Sequence, residues 1–170
     1  MWEPIIQAMA TFQSTGLEER FGLIAQLENN FHPKHSIVLE LKLNIANKLC
    51  RDGKGAMESS DIPELDRKVI LCQELLSVLN IVYPCLSKYR GLLLHELSET
   101  ILIRGSKLFN MEKLSKDNFR SVLEKVSGLL SEGICCLELD RKGTLESEVC
   151  SNMKAMQVTT DDFKKFIQFL

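Results

Sequence analysis

Nothing in this 170-residue chain is apolar for long enough to cross a bilayer; runs such as Gly91-Leu92-Leu93-Leu94 fall far short of the roughly 20 residues that a spanning helix needs. The N-terminus, MWEPIIQAMATF, has neither the basic start nor the extended apolar stretch of a secretory signal. Positive charge is not in excess. Lys and Arg total 21 against 23 Asp and Glu, for a formal net charge of -2, and the basic residues are scattered along the chain. That distribution offers no electrostatic footprint for nucleic acid. Neither GxGxxG nor GxxxxGK[ST] occurs, which excludes the dinucleotide and P-loop ways of cradling phosphates. No segment alternates apolar and polar residues as a half-buried strand does, so no β-sheet is expected.

What is present is the composition of a folded globular protein, 45% hydrophobic and 26% charged. Its length suits one domain with one sizeable core. A single all-α domain over 1–170 is expected, with N-terminal helices in 1–30 and a longer helical region over 31–170. Helices predicted at 3–13 and 17–29 are broken at Ser14-Thr15-Gly16. A third runs from Pro33 to about Arg51, with the proline in its first turn and Ile37, Val38, Leu41, Ile45 and Leu49 on one stripe. Asp52 to Ser60 reads as a solvated loop.

Asp61 then offers a cap, with Glu64 three residues on in a capping-box arrangement. The helix it starts has Leu65, Val69, Cys72, Leu76, Leu79 and Val82 at helical spacing, and Leu71, Leu75 and Val78 widen that face. So wide a face implies burial between two neighbours. Pro84 ends this helix near Tyr83, because its ring would clash with the preceding turn. Another helix follows from Ser87 to Asn110, with Tyr89, Leu93, Leu97, Ile101 and Leu108 on one side. Ser115 caps the next, which carries Phe119, Val122, Leu123, Val126, Leu129, Leu130, Ile134 and Leu137. Gly143-Thr144 and Thr159-Thr160 mark two further starts, giving helices at 145–156 and 160–169. The expected architecture is a tetratricopeptide-like array of about seven or eight helices in antiparallel hairpins, without the tetratricopeptide consensus.

Few residues carry chemistry. His32 and His35 flank Pro33-Lys34 like a metal pair, but no CxxC or HxxxH supplies further ligands, so they read as polar rings at a helix start. The six cysteines, Cys50, Cys72, Cys85, Cys135, Cys136 and Cys150, read as buried reduced thiols of an intracellular protein of the cytoplasm or nucleus. Cys135 and Cys136 point about 100° apart on a regular helix and cannot face one metal. His95 beside Glu96 has no nucleophile within local spacing and reads as a packed imidazole. Lys116 and Arg120, at i and i+4, could grip one carboxylate of an acidic peptide tail, although Asp117 and Glu124 lie close enough to neutralise them.

The segment LDRKVILCQELLSVLNIVYPCLSKYRGLLLHEL, Leu65 to Leu97, resembles the C-terminal helical region of SET-and-MYND (SMYD-type) protein lysine methyltransferases, above all the arthropod SmydA/msta-like branch. A Glu/Asp-Arg-Lys helix there leads through a proline to a helix start of the form Ser-x-x-Arg-Gly-Leu-Leu-Leu. His32-Pro33-Lys34-His35 with Val38-Leu39-Glu40-Leu41-Lys42 resembles the preceding helix, and the likeness covers about residues 30–138. In that family the region is tetratricopeptide-like, packs on the SET core and helps wall the substrate cleft.

The family's catalytic parts have no counterpart in this sequence. It has no Asn-His-Ser/Asp-Cys segment for S-adenosylmethionine, no MYND cysteine and histidine array, and no CxCxxC cluster. The resemblance therefore implies a non-catalytic interaction module, with no catalytic, cofactor-binding or metal-binding residue and no cofactor. Its partner would be another protein or a SET-containing catalytic core, with no nucleic acid and no membrane. Two other readings stay open. The chain could be a fragment of an active S-adenosylmethionine-dependent lysine methyltransferase, which the reading frame upstream of Met1 would decide, or an adaptor that binds acidic peptide tails.

Overall fold

The computed structural model describes residues 12, 16–50, 57–82 and 86–169. Among them six α-helices and one 3₁₀ turn follow in order: α1 Leu17–Glu28, α2 Ser36–Lys48, the 3₁₀ turn Met57–Ser59, α3 Ile62–Val82, α4 Lys88–Asn110, α5 Lys116–Leu137 and α6 Leu145–Phe169. The protein is all-α. No strand occurs among the described residues. The helix expected at 3–13 lies outside them except for Phe12, a helical residue buried in the core.

Cross-links between helices fix their directions. On α3 and α4, Asp66 pairs with Arg104, Lys68 with Glu96 and Asn80 with Arg90, so the two run antiparallel. Glu138, which caps the end of α5, and Ser131 and Ser127 within it meet Lys154, Gln157 and Lys164 of α6 in the same antiparallel sense. Between α4 and α5, Gly91 faces Leu137 and Gly105 faces Val122, while Phe109 stacks on Phe119 with ring centroids 4.6 Å apart. Each helix thus packs on the next. The long helix α4 also touches α6 and the 3₁₀ turn, and it carries the most continuous buried face.

Gly91 is required by this packing. A Cβ there would lie 2.6 Å from Leu137 Cγ and 2.9 Å from Cys136 Cβ. The hairpin from α4 to α5 closes through Glu112 at φ 57, which lets Lys113 N–H bond the Leu108 carbonyl at 2.9 Å and satisfy a helix-end acceptor.

The starts of α3 and α5 follow the sequence. Glu64 N–H donates to Asp61 Oδ1 at 2.9 Å, and Asn118 N–H donates to Ser115 Oγ at 3.3 Å. Elsewhere the structure corrects the expectation. The helix expected from Pro33 starts at Ser36, because His35 takes the capping position and its Nδ1 accepts from Ile37 N–H at 3.3 Å. Pro33 lies in the preceding turn. The two helices expected at 145–156 and 160–169 are one. Thr159 and Thr160 do not cap; their hydroxyls donate to the carbonyls of Ala155 and Met156 at 3.2 and 2.8 Å, a back-bond that keeps a threonine inside a helix. Thr144 caps as expected, accepting from Ser147 N–H at 3.3 Å.

The expected solvated loop contains a buried anchor. Residues 51–56 lie outside the described set, but Met57 is 2% exposed and Thr100 Oγ1 lies 3.4 Å from its sulfur. On α3 the buried line is Leu65, Lys68, Leu71, Cys72, Leu75 and Val78, rotated from the stripe expected through Leu76 and Val82. Leu76 is only half-buried and Val82 is exposed. Tyr89 of α4 is likewise exposed, whereas Leu93, Leu97 and Ile101 are in the core. Cys85 lies outside the described residues. Of the remaining thiols, Cys72, Cys136 and Cys150 are buried, but Cys50 is only half-buried and Cys135 is exposed, against the expectation that all are interior.

Candidate functional site

A charged group sits where α3 meets α4. Lys68 has a fully buried side chain, and its Nζ donates to Glu96 Oε2 at 2.7 Å and to the Leu49 carbonyl at 2.9 Å. Removing an ammonium from water costs several kcal/mol unless its partners are well placed, and these two acceptors supply that placement. His95 Nδ1 lies 4.0 Å from the other oxygen of Glu96. The ligand atoms of His95, Glu96 and Glu99 all fall within 4.8 Å of one another, so these three could surround a metal ion. Glu96, however, already carries the Lys68 ammonium. A dication beside it would be repelled, and the group fits an ion pair better than a metal centre.

The sequence offers one signal for Lys68: it stands between Leu65 and Cys72 at helical spacing, on the apolar face. A lysine at such a place either snorkels or is paired, and α4 blocks the way out. Next to it the Cys72 thiol is pushed up to about 12 by burial, against the opposing pull of the Lys68 ammonium. Such a thiol stays neutral and is a poor nucleophile. Burial also raises Cys50.

The other candidates do not come together. His32 Nδ1 accepts from Lys34 N–H at 3.1 Å and His35 Nδ1 caps α2, so each imidazole serves its own backbone. Cys135 faces solvent while Cys136 faces the core, where Arg90 Nη1 approaches its sulfur at 3.5 Å. Lys116 and Arg120 are both exposed on the first turns of α5, and neither forms an ion pair among the described residues, with Asp117 and Glu124 or otherwise.

A second site escaped the sequence entirely. Phe21, Ile24 and Ala25 of α1 and Ile70 and Leu71 of α3 line a trough of about 340 Å³ over α2. At one end Lys42 Nζ lies 2.6 Å from Glu28 Oε1 and 2.5 Å from Glu74 Oε1. Burial alone would lower the Lys42 pKa, but hydrogen bonds to the two carboxylates outweigh it and raise the ammonium above its ordinary value. At the other end Arg67 is tied to Glu18 at 2.6 Å and sits 4.5 Å over the Phe21 ring. No local pattern marks Lys42, because its partners come from two other helices, 14 residues before it and 32 after it.

No helix among the described residues is long and apolar enough to cross a membrane. No family model, curated protein or solved structure matches the chain.

Proposed function

We propose that this chain is a non-catalytic helical protein-interaction module of the kind found at the C-terminus of SMYD-type lysine methyltransferases, without the SET and MYND parts. The observation that carries the reading is the apolar surface at one end of the array. Ile81, Val82, Leu86 and Tyr89, between 49% and 71% exposed, stand where α3 turns into α4. Leu139 and Leu145 are exposed where α5 turns into α6, and Lys88 joins the two hairpins through Glu146 at 3.5 Å. Several large apolar side chains left in water at one end of a fold mark a surface that another protein covers. The Leu65 to Leu97 resemblance runs through this end. The neutral Cys72 thiol and the engaged imidazoles support a role without chemistry.

The test is titration of the chain with a SET/MYND catalytic core stripped of its own C-terminal helices. Saturable association is expected, weakened by Val82→Asp and Leu86→Asp, two exposed positions where a charge does not disturb the core. No association would overturn this choice of partner. A second reading, an adaptor for acidic tails, is supported by the exposed Lys116 and Arg120. It requires that a glutamate-rich peptide bind the chain and be lost on changing both residues to Glu.

A further inference from the structure

The trough between α1 and α3 ends in two carboxylates that share a single ammonium. Glu28 and Glu74 each give one oxygen to Lys42. Among the described residues, no donor reaches the second oxygen, Oε2, of either. Their side chains are 31% and 45% exposed, whereas Lys42 is 7% exposed, so the carboxylates face outward and the ammonium lies beneath them. Arg67 at the far end cannot balance them, because Glu18 already holds it. The spare charge of the trough is therefore negative and sits at the Lys42 end. The walls between are apolar, and Ile70 is 66% exposed.

The spacing is helical. Ile24 and Glu28 on one wall, and Ile70 and Glu74 on the other, are each separated by four residues, about 6 Å along a helix axis. A partner helix that places an apolar side chain between Ile24 and Ile70 carries its residue at i+4 over Glu28 and Glu74. There a cation is attracted and an anion repelled. We propose that this trough receives a helical segment of a partner protein through a Leu-sized side chain, with a Lys or Arg one turn away seated on Glu28 and Glu74. The proposal rests on the reading of the chain as an interaction module and names the chemistry that one of its surfaces selects. Binding by apolar burial sets the affinity. The paired carboxylates set the direction in which the helix lies, since only one orientation puts cation on anion.

The probe is a side-chain-stapled 12-residue helical peptide carrying one Leu and one Lys at i and i+4 on an alanine and glutamine background, titrated into the full chain while backbone amide NMR shifts are followed. Saturable shifts are expected to concentrate in 21–28 and 67–74. The same peptide with Lys replaced by Glu should show none of them. Glu28→Gln leaves Glu74 on Lys42 and should weaken binding about threefold to fivefold, the size of one partly exposed ion pair. Ile70→Lys changes an exposed residue without touching the core and should abolish binding. Equal binding of the Lys and Glu peptides, shifts spread over the whole surface, or no binding at millimolar peptide overturns the proposal. So does capture by anionic lipid vesicles that the peptide fails to displace. If the trough fails while a SET/MYND core still binds through Val82 and Leu86, the module reading stands and this site alone is lost; failure of both sinks both.

Discussion

Lys68 holds the closest balance in the core, because a charge with no exposed surface depends wholly on Glu96 and the Leu49 carbonyl. Changing Lys68→Met takes the buried ammonium away from the part-buried Glu96 carboxylate and the Leu49 carbonyl and should cost about 1–3 kcal/mol. The double variant Lys68→Met/Glu96→Leu should recover much of that loss, measured by urea unfolding. If the single variant is nearly neutral, the pair is not buried as described. Cys72 gives a second test at this scale. Its folded-state value is raised from 9.0 to about 12, so the folded chain keeps a proton that the unfolded chain releases. That contribution is full below about pH 9 and is lost as pH rises towards 12. Stability measured across this alkaline range should fall, and Cys72→Ala should flatten the fall. The raised Lys42 ammonium acts in the same direction at higher pH. Neither pairing could be read from the sequence: Lys68 meets Glu96 across 28 positions and Lys42 meets Glu74 across 32, and local spacing is blind to both.

At the scale of the helix, α4 and α5 approach closely because Gly91 lies against Leu137. Gly91→Ala improves helix propensity by about 1 kcal/mol but drives a methyl into a filled site at a cost of about 1–3 kcal/mol. A net loss of stability is expected in thermal unfolding, and a gain would mean that the interface yields. Helix existence was largely legible in the sequence. Apolar residues at spacings of three and four from Phe119 to Leu137 mark α5, and the side-chain oxygens of Asp61 and Ser115 mark the starts of α3 and α5 as expected. Boundaries were less legible where one residue type has two uses. Thr159-Thr160 reads as a cap by type and acts as a pair of back-bonded helix residues. His35 displaces Pro33 from the start of α2 because its ring nitrogen accepts the bond that a proline cannot offer. The buried face of α3 includes Lys68, so it is turned from the stripe that the apolar residues alone mark.

At the scale of the molecule, consecutive antiparallel helices leave apolar residues exposed at both ends, Ile81, Val82, Leu86, Tyr89, Leu139 and Leu145 at one and Met111, Phe163 and Phe166 at the other, and an acidic, apolar trough between α1 and α3. Such surfaces on one scaffold suit the proposed role of an interaction module. The trough was invisible in the sequence because its walls come from segments about 45 residues apart, and only the packing of both on α2 creates it. The central claim is that this chain acts by binding protein and performs no methyl transfer. Its most direct test is calorimetric titration of the chain alone with S-adenosylmethionine. No heat above dilution is expected, even at millimolar cofactor, since the sequence has no Asn-His segment and no strand occurs among the described residues to hold it. Saturable binding near one cofactor per chain would contradict the account.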